Sequence, residues 1–577
     1  SIEPSMSNRD WALSEVIALL RRGERDKAKL ALAKVLAKSR NDPGALELAG
    51  VLLLEEQKVP AAQESFKRSI AAQPNRASAL AKLGVTFLLQ GDAKTGEQAL
   101  RQALTIQPYE PLALRYMAWL AETNGDASNG IAYLERTLQN GGVSHNTLSG
   151  THTSLARLYN ALGRYASAYN LLGPLFEHTT KDNRYAADAM VALGVAALEI
   201  GDVSGAKRAV KKLKTLVPTA QPELRILEAS VARAEKKYTR STELLRAVVK
   251  DSPQYSTEAY HALGRTYVAM NKGAKAAKAL RMALKHASDE HVLPALRDLV
   301  ALLLDKHRAG EAIAVVDEYT AKLDGAPSVA YLRAEIEFVT RQLGPAAKTA
   351  QRIMVDSPEF IPAYVMASRL VHQTNGADAA EAILKQAVTK NPTATDAWLE
   401  LARHHRVIKA PSEAERVLRE AHKANPNNTR LQVALADALN DNGETTAANQ
   451  HYRAALVRQP TNAPVIQKLV NNLAGEEKGT EEAARIAARA YQYQQDVPTV
   501  QDAYGWALLN TGKIDEALPL LKSASAHLPH NALAQYHIGV AMLKSGDAAA
   551  AKTHLNRALD LGVNDQLLDI ITAYLDE

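Results

Sequence analysis

Sixteen histidines, 63 carboxylates and no cysteine are the groups from which this chain could build a metal centre or a catalytic site. The missing cysteine removes disulfides, zinc–thiolate sites, iron–sulfur clusters and Cys nucleophiles together, and leaves the redox compartment open. The histidines are scattered. His404 and His405 are adjacent, so on a helix they point about 100° apart and cannot share a metal from one face. His527 and His530 are separated by Leu528-Pro529, where a helix must end. No histidine carries a second ligand or an orienting carboxylate at motif spacing, so each reads as a structural or surface residue. Paired acids such as Glu55-Glu56 and Glu476-Glu477 read as solvated charge. Gly-x-Gly-x-x-Gly after a strand, the P-loop, His-Glu-x-x-His and Gly-x-Ser-x-Gly are all missing. The chemistry expected is binding, with no catalytic residue, no metal and no cofactor.

The elements that present these side chains follow from composition. The chain has 577 residues, 46% of them apolar, 23% charged and 5% aromatic, with five Phe and four Trp. Those fractions exclude wholesale disorder, and an Ala-rich, Phe-poor chain favours closely packed helices over sheets. The net charge of +6 is the small difference between 69 basic and 63 acidic residues. No Lys/Arg block of the nucleic-acid-binding kind occurs, so no specific nucleic acid is expected as a partner. The apolar stretch Ala189 to Leu198 is far short of the ~20 residues a membrane span needs. The first residues, Ser-Ile-Glu-Pro-Ser-Met-Ser, read as a processed end or an artificial boundary, and any export signal would already be missing. Membrane contact is then expected only through a lost anchor or a partner.

Repeats organise the chain. Alanines recur at Ala28 and Ala62, at Ala276, Ala312, Ala347, Ala380, Ala414 and Ala448, and at Ala517 and Ala551, with steps of 33 to 36 residues. Pro74 and Pro108, then Pro392, Pro426 and Pro460, keep a step of 34, as do Gly50/Gly84 and Gly505/Gly539. Each period reads as two helices. In residues 395 to 428, Trp398, Leu401 and Ala402 make one helical stripe and Ala414, Leu418 and Ala421 a second. Asn425-Pro426-Asn427-Asn428 stops the second helix, since proline cannot continue it. Gly-Asp or Gly-Lys at Gly91-Asp92, Gly125-Asp126, Gly201-Asp202, Gly512-Lys513 and Gly546-Asp547 make the tight turns, with glycine as C-cap and aspartate as N-cap.

These residues resemble the tetratricopeptide repeat family. Residues 77 to 110 supply Leu80, Leu83-Gly84, Phe87, Leu100, Ala103 and Pro108; residues 257 to 290 supply Tyr260, Leu263-Gly264, Tyr267, Ala276, Leu280 and Ala283. The resemblance implies an all-α fold: a right-handed α-solenoid superhelix of about sixteen helix-turn-helix units closed by a C-terminal capping helix. The expected layout is an N-terminal tail at 1–8, units one to four at 9–142, units five to sixteen at 143–564, and the cap at 565–577. Extra residues at Asn140–Asn146 and Glu476–Glu481 read as surface insertions. Since each unit of a solenoid contacts its neighbours, unfolding is expected to be fragmentary.

The family places groove-facing residues at the second, fifth, ninth and twelfth positions of each unit. Those positions hold Arg115 and Trp119 in unit four, Arg157 and Asn160 in unit five, and Arg225 in unit seven. They hold His261 and Arg265 in unit eight, Arg297 in unit nine, Arg369 and His372 in unit eleven, and Arg403 and Arg406 in unit twelve. Acidic groove positions, such as Glu122, Asp188, Glu258 and Asp396, are fewer. Arginine suits bidentate recognition of carboxylate or phosphate, so an extended acidic partner is expected, either an acidic peptide or an anionic polysaccharide. The Lys/Asn set with which chaperone-binding members clamp two carboxylates is not found. Asp502-Ala503-Tyr504-Gly505-Trp506, Gly512, Ala517-Leu518-Pro519-Leu520-Leu521, Tyr536-His537-Ile538-Gly539-Val540-Ala541 and Gly546-Asp547 are similar to bacterial envelope members of the family. Those include lipoproteins of exopolysaccharide export and of PEP-CTERM sorting. That resemblance implies a non-catalytic scaffold at the periplasm or outer membrane. A cytosolic adaptor for acidic peptides, or the substrate-recognition arm of a larger enzyme, are the other classes the sequence fits.

Overall fold

The computed structural model of the chain describes residues 8–139, 148–176, 179–288, 291–474 and 479–576. Among the described residues there are 33 α-helices, two short 3-10 turns and no strand. Thirty-two of the helices run as sixteen consecutive pairs, from Asn8–Arg21 with Arg25–Lys38 to Ala532–Lys544 with Ala548–Leu561. The last, Asp565–Asp576, stands alone as the cap, with Ile571 fully buried and Leu567, Tyr574 and Leu575 packed on the apolar cluster of residues 361–571. The insertion expected at Asn140–Asn146 lies outside the described residues. Of Glu476–Glu481 only the last three residues are described, and there Thr480 begins the helix Thr480–Tyr493.

The repeat at 395–428 shows why the sequence folds this way. Trp398, Leu401 and Ala402 are buried on the first helix, Thr395–Val407; Ala414, Leu418 and Ala421 are buried on the second, Pro411–Ala424. The Asn-Pro-Asn-Asn segment stops one helix and starts the next. Asn428 caps the next helix by accepting from Leu431 N at 3.1 Å, and its amide donates to Thr395 Oγ1 at 2.6 Å. The Gly-Asp turns behave as the spacing requires. Gly91 takes φ +83° and Asp92 accepts from Thr95 N at 3.1 Å, capping the second helix of its pair. Several turns reach the same left-handed conformation without glycine, at Gln57, Lys236, Asn271, His307, Arg341 and Lys409, each at the steric cost of a Cβ there.

Small residues set the helix crossings. A Cβ on Gly84 would lie 2.9 Å from the Gly96 carbonyl oxygen, so those two helices touch backbone to backbone. The periodic alanines are buried as expected, with one slip of register. Ala346, not Ala347, is fully buried, which restores steps of 34 from Ala312 and to Ala380. Ala347 is only half-buried beside it.

The chain divides into two compact units, Ser1–Glu122 with Tyr133–Gly142, and Thr123–Ala132 with Val143–Glu577. In the second unit the solenoid coils back onto itself. Ala127 N donates to Ser328 Oγ across 201 residues at 3.1 Å. Arg164 pairs with Asp396 across 232 residues at 2.5 Å, and Ser204 N donates to Asp496 across 292 residues at 2.9 Å. Helix-pair turns of one coil thus sit on inter-repeat loops of the next. Contacts of this range correct the expectation that each repeat meets only its sequence neighbours.

Candidate functional site

In the second unit, the arginines at the expected groove positions stand on the first helices of their pairs, and the chain supplies most of them with its own carboxylates. Arg225 meets Asp251 at 3.3 Å. Arg265 lies between Glu199 at 2.6 Å and Asp298 at 3.3 Å, while His261 Nε2 meets the same Asp298 at 2.7 Å and Arg233 meets Glu199 at 3.3 Å. Burial would push the Asp298 carboxyl up, but His261 and then Arg265 outweigh it and hold it below the usual range. Arg297 approaches Glu335 only to 3.8 Å, and there burial prevails and raises the Glu335 carboxyl. Arg406 meets Asp441 at 3.0 Å; burial again raises that carboxyl, with Arg406 opposing.

One cluster differs in its charge balance. Arg369 donates to both oxygens of Glu400, at 2.8 and 2.9 Å, and Arg403 on the same helix as Glu400 donates to it as well, at 2.9 Å from its Nε. Burial alone would raise the Glu400 carboxyl, yet the two guanidiniums bring it down to about 2. Two positive charges share one negative charge, so the trio keeps an excess positive charge.

The remaining expected residues are placed as follows. Arg157 is exposed and its charge opposes the burial and the Glu223 charge that raise the Asp188 carboxyl. Asn160 donates to the Ala192 carbonyl at 2.9 Å, leaving its buried Oδ1 without a partner. His372 stacks edge-on to His404, ring centroids 5.5 Å apart, and His404 to His405 at 5.7 Å. Burial and the two neighbouring histidines lower the His404 pKa. Among the described residues no group of three His, Asp or Glu is arranged to hold a metal. In the first unit, Arg115 is exposed over the Tyr116 ring at 5.3 Å and Trp119 is 51% exposed.

Sequence reasoning missed Glu199, Asp298, Glu335, Glu400 and Asp441. No fixed spacing marks such partners: the separation is 26 residues for Arg225, 31 for Arg369 and 35 for Arg406. It also missed a cavity of about 630 Å³ on the C-terminal repeats. The polar end is lined by Arg406, Asp437, Asn440, Lys468 and Asn472; the apolar end by Trp506, Tyr536, Val540, Leu567 and Tyr574. Its volume falls in the range of ligand pockets, which run roughly 300–1,000 Å³. Behind the wall, Trp506 stacks on His537 at 4.2 Å, and buried His537 bridges Asp502 at 2.7 Å and Asn471 at 3.0 Å. Among the described residues no helix is long and apolar enough to cross a membrane.

Comparison with known proteins places the repeats in a family. Tetratricopeptide repeat models match residues 49–111, 395–437 and 508–571. No curated protein matches the sequence. Similar solved structures include Naa15/Naa10 bound to HypK-THB, at 14% identity and TM-score 0.31, covering 99% of this chain and 98% of that one. They include the APC/C hetero-tetramer Cut9-Hcn1, at 14% identity and TM-score 0.33, covering 82% and 98%. Yeast Tom70 is a third, at 15% identity and TM-score 0.36, covering 89% and 98%. With matched models near its start, in its middle and at its end, on sixteen helix pairs of the same build, the chain is a tetratricopeptide repeat protein.

Proposed function

We propose that this protein is a non-catalytic scaffold that holds an extended, acidic partner along the first-helix face of its second unit, centred on Arg369 and Arg403. Tetratricopeptide repeats are interaction modules, and this chain is such a scaffold. The acidic character of the partner is the further step. The observation that carries it is the Arg369–Glu400–Arg403 trio, where one carboxylate is shared by two guanidiniums. An incoming carboxylate completes that set without leaving any group buried and unpaired, and guanidiniums favour it by bidentate geometry. Arg225, Arg265, Arg297 and Arg406 already carry internal carboxylates and contribute shape and rigidity to the face, with less attraction for an acid. His261, His372, Arg157 and Asn160 border the same face, and Arg115 and Trp119 offer an exposed contact on the first unit. Within this reading, the envelope resemblance of the C-terminal repeats makes assistance to exopolysaccharide assembly or export the proposed setting.

The partner chemistry is a line of carboxylates, which an acidic peptide and a uronate glycan both provide. Fluorescence anisotropy with labelled oligoglutamate and labelled oligogalacturonate separates the two. At least one should bind at about 20 mM salt and weaken roughly tenfold by 200 mM, as screening shortens the reach of exposed charge. Arg403→Ala should weaken it further while Arg369 keeps Glu400 paired. If neither polyanion binds at low salt, the acidic-partner reading falls.

A further inference from the structure

The contacts that close the second unit on itself differ from those that build the repeats. Within a helix pair the contact is apolar, as between the buried faces of Trp398, Leu401, Ala414 and Leu418. Across the seam between coils it is mainly polar: Arg164 with Asp396, Ser204 N with Asp496, Arg208 with the Tyr493 carbonyl, and Ala127 N with Ser328. Ile200, packed against the cluster of residues 361–571, adds an apolar contribution. The coils also meet where one side has no side chain. A Cβ on Gly173 would lie 2.9 Å from Thr461 Oγ1, and Thr461 Oγ1 is itself buried with no hydrogen-bond partner.

We propose that this seam is a reversible clasp, pinned by Arg164 on Asp396, that opens without unfolding any repeat.

The charge arrangement makes opening inexpensive. Asp396 is held at 2.5 Å by two guanidiniums, Arg164 from the far coil and Arg430 from the next repeat of its own coil. When the coils part, Arg164 goes to water and Asp396 keeps Arg430, so no charge is stranded. Stranding is what makes breaking a buried pair costly. On the other side, Asp202 keeps the Tyr169 hydroxyl at 2.7 Å and the Gly205 amide at 2.7 Å, while Asp496 and the Arg208 side chain return to solvent. Thr461 gains water for a hydroxyl that the closed seam leaves unpaired. A polar interface whose groups stay satisfied on both sides of the opening is the segment of a fold expected to yield first. A solenoid, whose repeats each keep their neighbours, can open like a spring with its helices intact.

The clasp stands on these contacts alone. A chain with no cysteine permits a direct test. Thr461→Cys puts a thiol in the seam, and Val457→Cys puts one at an exposed position, 81% accessible. The thiol at 461 should react with maleimide at least roughly tenfold more slowly than that at 457, because it waits on opening. Raising salt from about 20 mM to about 0.5 M, or adding Arg164→Ala, should speed the reaction at 461 several-fold with far-UV circular dichroism unchanged. A rate at 461 indifferent to both, or one that rises only as helicity is lost, overturns the clasp. The pair Gly173→Cys/Thr461→Cys provides the lock. The distance from a Cβ at 173 to Thr461 Cβ is 3.4 Å, close to the Cβ separation of a disulfide, and Gly173 has φ −52°, which any residue adopts. In the closed form the disulfide should form readily under mild oxidation, and its formation should slow several-fold on adding Arg164→Ala or about 0.5 M salt, with circular dichroism unchanged. A pair that does not oxidise, or oxidises at a rate indifferent to both, overturns the clasp.

Discussion

Arg369 reaches from one repeat to the next and grips both oxygens of Glu400, at 2.8 and 2.9 Å, while Arg403 closes on the same carboxylate from its own helix. The relationship ties two repeats together and at the same time leaves more positive charge than it neutralises. Stability and recognition thus draw on the same three side chains.

The first prediction concerns pH. Glu400 has its pKa lowered to about 2, so its contribution to stability is complete above the unfolded carboxylate value and is lost as pH falls toward 2. The shift corresponds to about 2 kcal/mol once the half-exposed arginines are discounted for screening. Acid titration followed by circular dichroism should show Glu400→Gln less stable at pH 7 and the two proteins converging near pH 2. A constant difference down to pH 2 would contradict the pairing.

Helix crossings give the second. Gly84→Ala places a methyl 2.9 Å from the Gly96 carbonyl oxygen, a backbone atom that has little room to yield. The variant should lose about 1–3 kcal/mol, the usual range for overpacking, in urea denaturation. An unchanged midpoint would mean that the two helices do not touch there.

The third is a gain. Lys409 holds φ +59° in the turn between the helices of its pair, where a side chain is strained. Lys409→Gly should stabilise by about 1 kcal/mol, less the extra freedom glycine has in the unfolded chain. A thermal melt that moves down would show that the Lys409 side chain makes up for its backbone.

The cap provides the fourth. Ile571 is fully buried under the last repeats. Ile571→Asp should release the helix Asp565–Asp576 at a cost of about 3 kcal/mol or more, and hydrogen exchange should rise over 532–576 before it rises elsewhere. Protection unchanged in that segment would remove the helix from the stability account.

Much of the fold was legible because it is local. Ala414, the Gly91-Asp92 turn and the Asn425–Asn428 stop each act within one period, where spacing carries the information. The misplacement of Ala347 for Ala346 came from counting small residues without weighing which neighbour faces the partner helix; two adjacent alanines look alike in sequence. The pairing of the first-helix arginines was not legible, because a carboxylate on another repeat has a position of its own and no fixed offset: Asp251, Glu400 and Asp441 lie at three different spacings from their arginines. The seam left no periodic trace at all. Arg164 and Asp396 are 232 residues apart, and their meeting depends on the accumulated twist of every repeat between them. For the same reason Arg265, expected to face a partner in the groove, is held by Glu199 and Asp298, so a carboxylate at 265 would face two others. The variant Arg265→Glu should therefore destabilise the fold, contrary to what its sequence position suggests.

The measurement that bears most directly on the binding account is the affinity of labelled oligoglutamate for two variants of one cluster, taken at the same low salt. Arg403→Ala removes the excess charge and should weaken binding several-fold. Glu400→Gln removes the internal competitor, frees two guanidiniums for the ligand and should tighten binding by about tenfold, the effect of one well-placed charged contact. Opposite shifts from residues in direct contact are the result the account predicts. Equal losses in both variants, or no change in either, would contradict it and leave the trio a structural tie between repeats.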